Sequence, residues 1–289
     1  MTGPLETGEA ANASQIAYWN EQAATTWTAL QERIDAVFAP LTAVAMEAAA
    51  PAADERVVDV GCGCGATVLE LAQRVGSGGH VLGLDVSTPM SERARERIVG
   101  AGLGNATVLV ADASVHAFDP GEADLVFSRF GVMFFADPAA AFATLLHATR
   151  PGGRLLFVAW RPLADNPWFA VPLEAGRRQL PPQPPSEPTA PGPFAFADAD
   201  RVHAILTEAG WNDVALDRHD VPMRLAADGD VDAAAEFVTR VGPLSRMLAE
   251  ADPEVRPLVR RDVAEALRTW NCPDGVILGG SVWLVSARA

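Results

Sequence analysis

The chain has 289 residues and a formal charge of −15, with 37 Asp and Glu against 22 basic residues, all of them arginine. That charge disfavours nucleic acid, whose phosphates it would repel, and the missing lysine excludes Schiff-base chemistry and the tyrosine-lysine pair of short-chain dehydrogenases. No run of about 18 uninterrupted apolar residues offers a membrane span, and three cysteines, Cys62, Cys64 and Cys272, are too few for a secreted disulfide framework, so a reducing cytoplasm is expected.

Residues Thr2 to Ser14 are small and polar and are expected to fray; they carry acids and no basic stretch, so no signal peptide is read. From Ile16 to Ala50 the pattern is helical, with Trp19, Trp27, Leu30, Ile34, Val37 and Phe38 apolar. Pro40 is expected to start or kink a second helix through Met46. Residues 1–50 therefore predict a helical cap that packs on an edge or covers a site.

The stretch VVDVGCGCGATVLELA, Val57 to Ala72, follows. Val57, Val58 and Val60 predict a strand buried on both faces. Asp59 interrupts it, and a carboxylate there must accept hydrogen bonds from turn amides or reach a ligand donor. Gly61, Gly63 and Gly65 allow positive φ and let a ligand approach the backbone. Val68, Leu69, Leu71, Ala72 and Val75 then take helical spacing, and the unpaired N–H groups at the helix start suit an anion. Asp85 ends a second strand, Val81 to Val86, roughly 20 residues beyond the turn, where an acid accepts both hydroxyls of a ribose. Taken alone, Gly61, Gly63 and Ala66 also fit a dinucleotide pattern. Arg93, Arg95 and Arg97 alternate with Glu92 and Glu96 as on a solvated helix face.

Three more strand signals come in order: VLVADA, Val108 to Ala113; DLVFSRF, Asp124 to Phe130; and RPGGRLLFVAW, Arg150 to Trp160. Five βα units from Arg56 to Trp160 predict a doubly wound parallel sheet of the α/β class. Beyond Trp160, Pro181, Pro182, Pro184, Pro185, Pro188, Pro191 and Pro193 crowd one stretch that can be neither helix nor central strand. A helix over Ala199 to Ala209, a strand over Val214 to Val221, a helical insertion from about Val231 to Trp270 and a last strand over Ser281 to Ala287 complete the pattern.

These motifs in register resemble the class I S-adenosylmethionine (SAM)-dependent methyltransferases, in particular the group that includes the ubiquinone and menaquinone C-methyltransferases. DVGCGCG is similar to the family's first motif and GLDVS to its second. The resemblance covers Arg56 to Trp160 firmly and the rest loosely. It implies a Rossmann-like seven-stranded sheet of order 3-2-1-4-5-7-6, one domain over residues 51–289, with helical lid insertions at about 161–197 and 228–275. It also implies that Gly61, Cys62, Gly63 and Gly65 cradle the methionine part of SAM, with Asp59 beside its amino group. Asp85 and Val86 would hold the ribose, Met90 would pack on the adenine, and Asp112 with Ala113 would recognise it. Ser128 and Arg129 would face the methyl group, and Tyr18 and Trp19 would close over the cofactor.

Methyl transfer from a sulfonium depends chiefly on positioning, and a base is needed only if the nucleophile must lose a proton early. His80, His116, His147 and His203 have no favoured catalytic place, and His219 is a candidate base. Arg129, at the tip of a buried strand, is a candidate clamp for a carboxylate, phosphate or enolate, or else the partner of Asp137 or another loop acid. Phe130, Met133, Phe134, Trp160, Trp168 and Phe169 bring aromatic surface to the strand tips and suit an apolar substrate. No metal site is read. The expected activity is methyl transfer to oxygen or carbon of a small, largely apolar metabolite, releasing S-adenosylhomocysteine (SAH). An NAD(P)-dependent oxidoreductase and a non-catalytic SAM-binding regulator are the alternatives.

Overall fold

The computed structural model describes residues 8–182 and 187–289. Three helices come first: α1 (Gly8–Asn20), α2 (Gln22–Ala29) and α3 (Gln31–Ala49). The alternating core follows, with β1 (Arg56–Val60), α4 (Ala66–Val75), β2 (His80–Asp85), α5 (Thr88–Gly100), β3 (Ala106–Val110), β4 (Ala123–Arg129), α6 (Pro138–Ala148) and β5 (Thr149–Trp160). The carboxyl-terminal part holds α7 (Pro167–Arg177), α8 (Ala199–Glu208), β6 (Asn212–Ala226), α9 (Val231–Arg240), α10 (Pro243–Ala249), α11 (Arg256–Leu267), β7 (Asn271–Cys272) and β8 (Gly275–Arg288).

The sheet runs β3-β2-β1-β4-β5-β8-β6, and β7 pairs with β8 off this path. This is the expected seven-strand order with one extra two-residue strand. β1 to β5 pair in parallel, while β8 runs antiparallel to both β5 and β6. The order reverses between β1 and β4, which places a crevice above their carboxyl ends. Val57, Val58 and Val60 are buried in the same core as Phe127 and Phe157, as their apolar character requires of a central strand.

Four expectations need correction. Residues 8–14 do not fray but form the first half of α1, while 2–7 lie outside the described residues. Pro40 does not start a second helix: α3 runs through it, because Phe38, Leu41, Ala45 and Met46 are buried on the sheet and hold the helix together. β6 and β8 extend well beyond their expected spans, since a long antiparallel pairing stabilises residues with no strand signal of their own. Helix α7 escaped the sequence reading because Pro167 and Pro172 mask its spacing. The proline stretch has neither helix nor strand at 181–182 and 187–198; Pro184 and Pro185 lie outside the described residues. No described helix is long and apolar enough to cross a membrane.

Candidate active site

The turn after β1 is fixed by backbone. The amides of Gly61 and Cys62 both donate to the Leu84 carbonyl at the end of β2, at 2.8 and 3.1 Å. Gly61 has φ +69°, and a Cβ there would lie 2.5 Å from the Cα of Gly131, so the turn and the segment after β4 touch backbone to backbone. Gly65 caps α4 in the left-handed conformation with no side-chain cap, leaving amides at the helix start unpaired by any cap side chain. Asp85 completes the turn: its carboxylate accepts from the amides of Gly63 and Ser87, each at 2.8 Å. Burial pushes its carboxyl above the ordinary range.

Asp59 lies behind the turn, fully buried, and is not among the residues facing the cavity described below. It accepts from the Thr67 hydroxyl of α4 rather than from turn amides, and its Oδ1 has no partner among the described residues. Burial raises its carboxyl to about 7, opposed by the Thr67 hydrogen bond and the charge of Arg129 and reinforced by Asp85. Ser128 is also turned inward. Its hydroxyl donates to the Val60 carbonyl at 2.7 Å and accepts from the Gly131 amide at 3.1 Å, tying β4 to β1 instead of facing a methyl group.

Above the strand tips lies a cavity of about 1010 Å³. Of the predicted cofactor residues, Tyr18, Trp19, Gly61, Cys62, Gly63, Asp85, Val86, Met90, Asp112, Ala113 and Arg129 line it; Asp59, Gly65 and Ser128 do not. Helix α1 closes the end at Asp112, where Asn12 donates to the carboxylate at 2.6 Å. Asn20 bridges the turn after β2, donating to the Val86 carbonyl at 2.9 Å and accepting from the Thr88 amide at 2.9 Å. Asn12 and Asn20 were missed in the sequence because two asparagines on a polar helix carry no periodic signal.

Arg129 makes no ion pair with Asp137, which instead caps α6 by accepting from the Ala140 amide. The guanidinium donates to the buried Thr42 hydroxyl at 2.6 Å and lies 5.5 Å from the centre of the Phe38 ring. Burial lowers its pKa, and Asp35 and Asp59 pull it back up. Its direct contacts, Thr42 and Phe38, leave the guanidinium without an ion pair among the described residues, and such a cation on the cavity wall favours an incoming anion.

The other half of the cavity is aromatic. Phe130, Met133, Phe134, Trp160, Trp168 and Phe169 all line it, as expected. Phe130 stacks on Trp160 with centroids 4.2 Å apart and planes 6° from parallel, and Trp19 meets Phe134 edge-on at 5.2 Å. Phe38, from α3, packs against Phe130, Trp160 and Trp168 and was not foreseen as a wall. Both insertions contribute, through Leu163, Leu173 and Phe194 on one side and Val241, Arg246 and Met247 on the other. His219 stands on the outer edge strand β6 opposite Val282 and does not face the cavity, so it drops out as a base.

Glycine turn, paired strand-tip acids and an aromatic annex are the geometry of a nucleoside-cofactor site with room for a second molecule. Residues 57–153 match a family model described as a methyltransferase domain. Aklanonic acid methyltransferase DauC of Streptomyces sp. (strain C5) is 35% identical over 122 residues, covering 42% of this chain and 56% of that protein. Nocamycin O-methyltransferase of Saccharothrix syringae is 32% identical over 140 residues, 48% of this chain and 50% of that protein. The chain thus spans about half the length of these curated relatives. The solved structure of phosphoethanolamine N-methyltransferase 2 from Haemonchus contortus, in complex with phosphomonomethylethanolamine and SAH, superposes with a TM-score of 0.56 over 98% of this chain and 60% of that one; at 16% identity it shows the shared fold. Over residues 57–153 the chain therefore carries a methyltransferase domain.

Proposed function

We propose that the protein transfers a methyl group from SAM to oxygen or carbon of a small, largely apolar metabolite. The observation that carries this reading is one continuous cavity, with the Gly61–Gly65 turn and Asp85 at one end and the Phe130–Trp160 stack at the other. Each Asp85 oxygen holds one backbone amide and keeps a lone pair to accept a ribose hydroxyl. Met90, 4% exposed, lies against the turn as a packing surface for adenine, and Asp112 has an Oδ2 that, among the described residues, accepts only from Asn12. Arg129 and the start of α4, whose Ala66 and Thr67 line the same cavity, are the positive features that suit the methionine carboxylate. When bound, SAM supplies an electrophilic methyl on a sulfonium, and neighbouring aromatic faces favour that cation.

The residues of the chain then have three tasks: to orient the acceptor, to exclude water and to hold charge. The aromatic walls orient and desolvate an apolar acceptor. We read residues 1–50 as a cap and the 161–197 and 228–275 insertions as a lid of the same domain, a reading supported by the side chains each sends to the cavity. One relative is named an O-methyltransferase, which favours oxygen as the acceptor atom. A reducing cytoplasm suits Cys62, Cys64 and Cys272, which are free thiols. Calorimetric titration with SAH tests binding, and SAH release from SAM in the presence of a metabolite panel tests turnover. Binding without turnover on any acceptor would favour the non-catalytic regulator, and saturable NAD(P)H binding without SAH binding would favour the oxidoreductase.

A further inference from the structure

The acceptor half of the cavity contains two cations with no ion-pair partner among the described residues. Arg177, in the last turn of α7, and Arg246, on α10, both line it. Neither forms an ion pair with a carboxylate among the described residues. Arg246 is half-buried, with its guanidinium 4.0 Å from the centre of the Tyr18 ring, so α1 and α10 meet at this contact. Histidine is absent from the described lining; of its carboxylates, Asp85 and Asp112 belong to the cofactor end, Asp35 is paired with Arg97, and Glu187 lies at the exposed rim.

A second cavity, of about 910 Å³, lies on the other side of the same wall: Tyr18, Trp27 and Arg246 face both. Six of its lining side chains are arginines, among them Arg246, Arg256 and Arg260, against three carboxylates. Glu236 is shared at 3.7 Å by Arg240 and Arg260, while Arg268 pairs with Glu265 and Arg261 with Asp262 at 2.7 Å each, so Arg246 and Arg256 are the lining arginines without an ion pair among the described residues. On a chain with a charge of −15, this is a locally positive groove that abuts the acceptor site at Arg246. An anion repelled by the molecule as a whole would be gathered here.

We propose that the methyl acceptor is a planar, multi-ring aromatic acid, bound as its anion between the aromatic walls, anchored by Arg246 with Arg177 and collected through the arginine-lined groove. This deepens the methyl-transfer reading and rests on it. The acceptor arrives without the proton that a base would otherwise have to remove. A lone pair of its anionic oxygen forms the new C–O bond while the S–CH3 bond breaks and its electron pair passes to sulfur. Anion and sulfonium thereby become a neutral ester or ether and a neutral thioether, with no proton released. This chemistry fits an acceptor half whose unpaired charged groups, apart from Glu187 at the rim, are guanidinium ions.

The test uses the full chain saturated with SAH and follows quenching of its tryptophan fluorescence. Anthraquinone-2-carboxylate is compared with the isosteric, uncharged anthraquinone-2-carboxamide. The carboxylate is expected to bind at least about tenfold more tightly, a difference of about 1.4 kcal/mol. The preference should collapse in Arg246→Gln, weaken in Arg177→Gln and largely return in Arg246→Lys. Raising salt to about 0.5 M should weaken the carboxylate and leave the carboxamide unchanged, and Arg256→Gln should reduce that salt dependence. Equal binding of the two probes, failure of both to bind, or a preference untouched by both glutamine variants would overturn the proposal. SAH binding is measured first and separately: its absence would refute the methyl-transfer reading itself, and this inference with it.

Discussion

Asp59 and Asp85 stand on neighbouring strand tips, yet they perform different work because of what each faces. Asp85 reaches the cavity with both oxygens anchored by amides, so Asp85→Ala removes the ribose acceptor and loosens the turn together. SAH affinity is expected to fall at least about tenfold, read by calorimetry. Asp59 faces Thr67 and has an orphan oxygen. Its folded pKa of about 7 stands above its ordinary value of 3.8, so the folded state holds the proton more tightly than the unfolded chain. The stability it contributes is full below 3.8 and is lost as pH rises through about 7. Between pH 5 and 8 the wild-type melting temperature should therefore drop further than that of Asp59→Asn, by roughly 2–4 °C for each kcal/mol involved. Parallel melting curves for the two proteins across that range would show that Asp59 does not titrate there.

At the scale of single elements, the turn and its cover make separate predictions. Gly61→Ala must drive a methyl group into Gly131 at a positive φ, and the strain is on the order of 1–3 kcal/mol. Both melting temperature and SAH affinity should fall. Gly76 also has a positive φ but would bring no atom within 4 Å, so Gly76→Ala should lower stability while sparing SAH binding. An equal effect of both substitutions on binding would mean that the Gly61–Gly131 contact has no special place in the site. Helix α1 is joined to the turn after β2 through Asn20, and Asn20→Ala should speed SAH dissociation with little change in melting temperature, as measured by stopped-flow fluorescence.

The same elements mark what the sequence made legible. Val57 to Gly65 announced its strand and turn because periodicity and glycine spacing are local, and Asp85 followed at the distance a βαβ unit demands. Ser128 was misplaced because alternation along β4 decides which face a side chain takes, and the hydroxyl found Val60 rather than the cavity. Arg246 and Phe38 were invisible as site residues, since α10 and α3 reach the strand tips only through packing between distant segments. His219 looked plausible in isolation, and only the long β6–β8 pairing puts it on the outer edge.

On the scale of the whole molecule, one cavity is closed by pieces from three parts of the chain: the amino-terminal helices, the segment after β5 and the insertion before β8. The cap and lid proposed above should tighten when the cofactor arrives. Hydrogen exchange at the amides of Tyr18 and Trp19 is expected to slow on SAH addition, along with that of Val241 to Met247; unchanged exchange in both segments would argue that they are fixed walls. The central claim is that the glycine turn and Asp85 bind S-adenosylmethionine, and calorimetric titration of the wild-type chain and Asp85→Ala with SAH measures it most directly. Saturable wild-type binding that weakens at least about tenfold in the variant is the predicted result. No binding at submillimolar SAH, or the same affinity in both proteins, would contradict it.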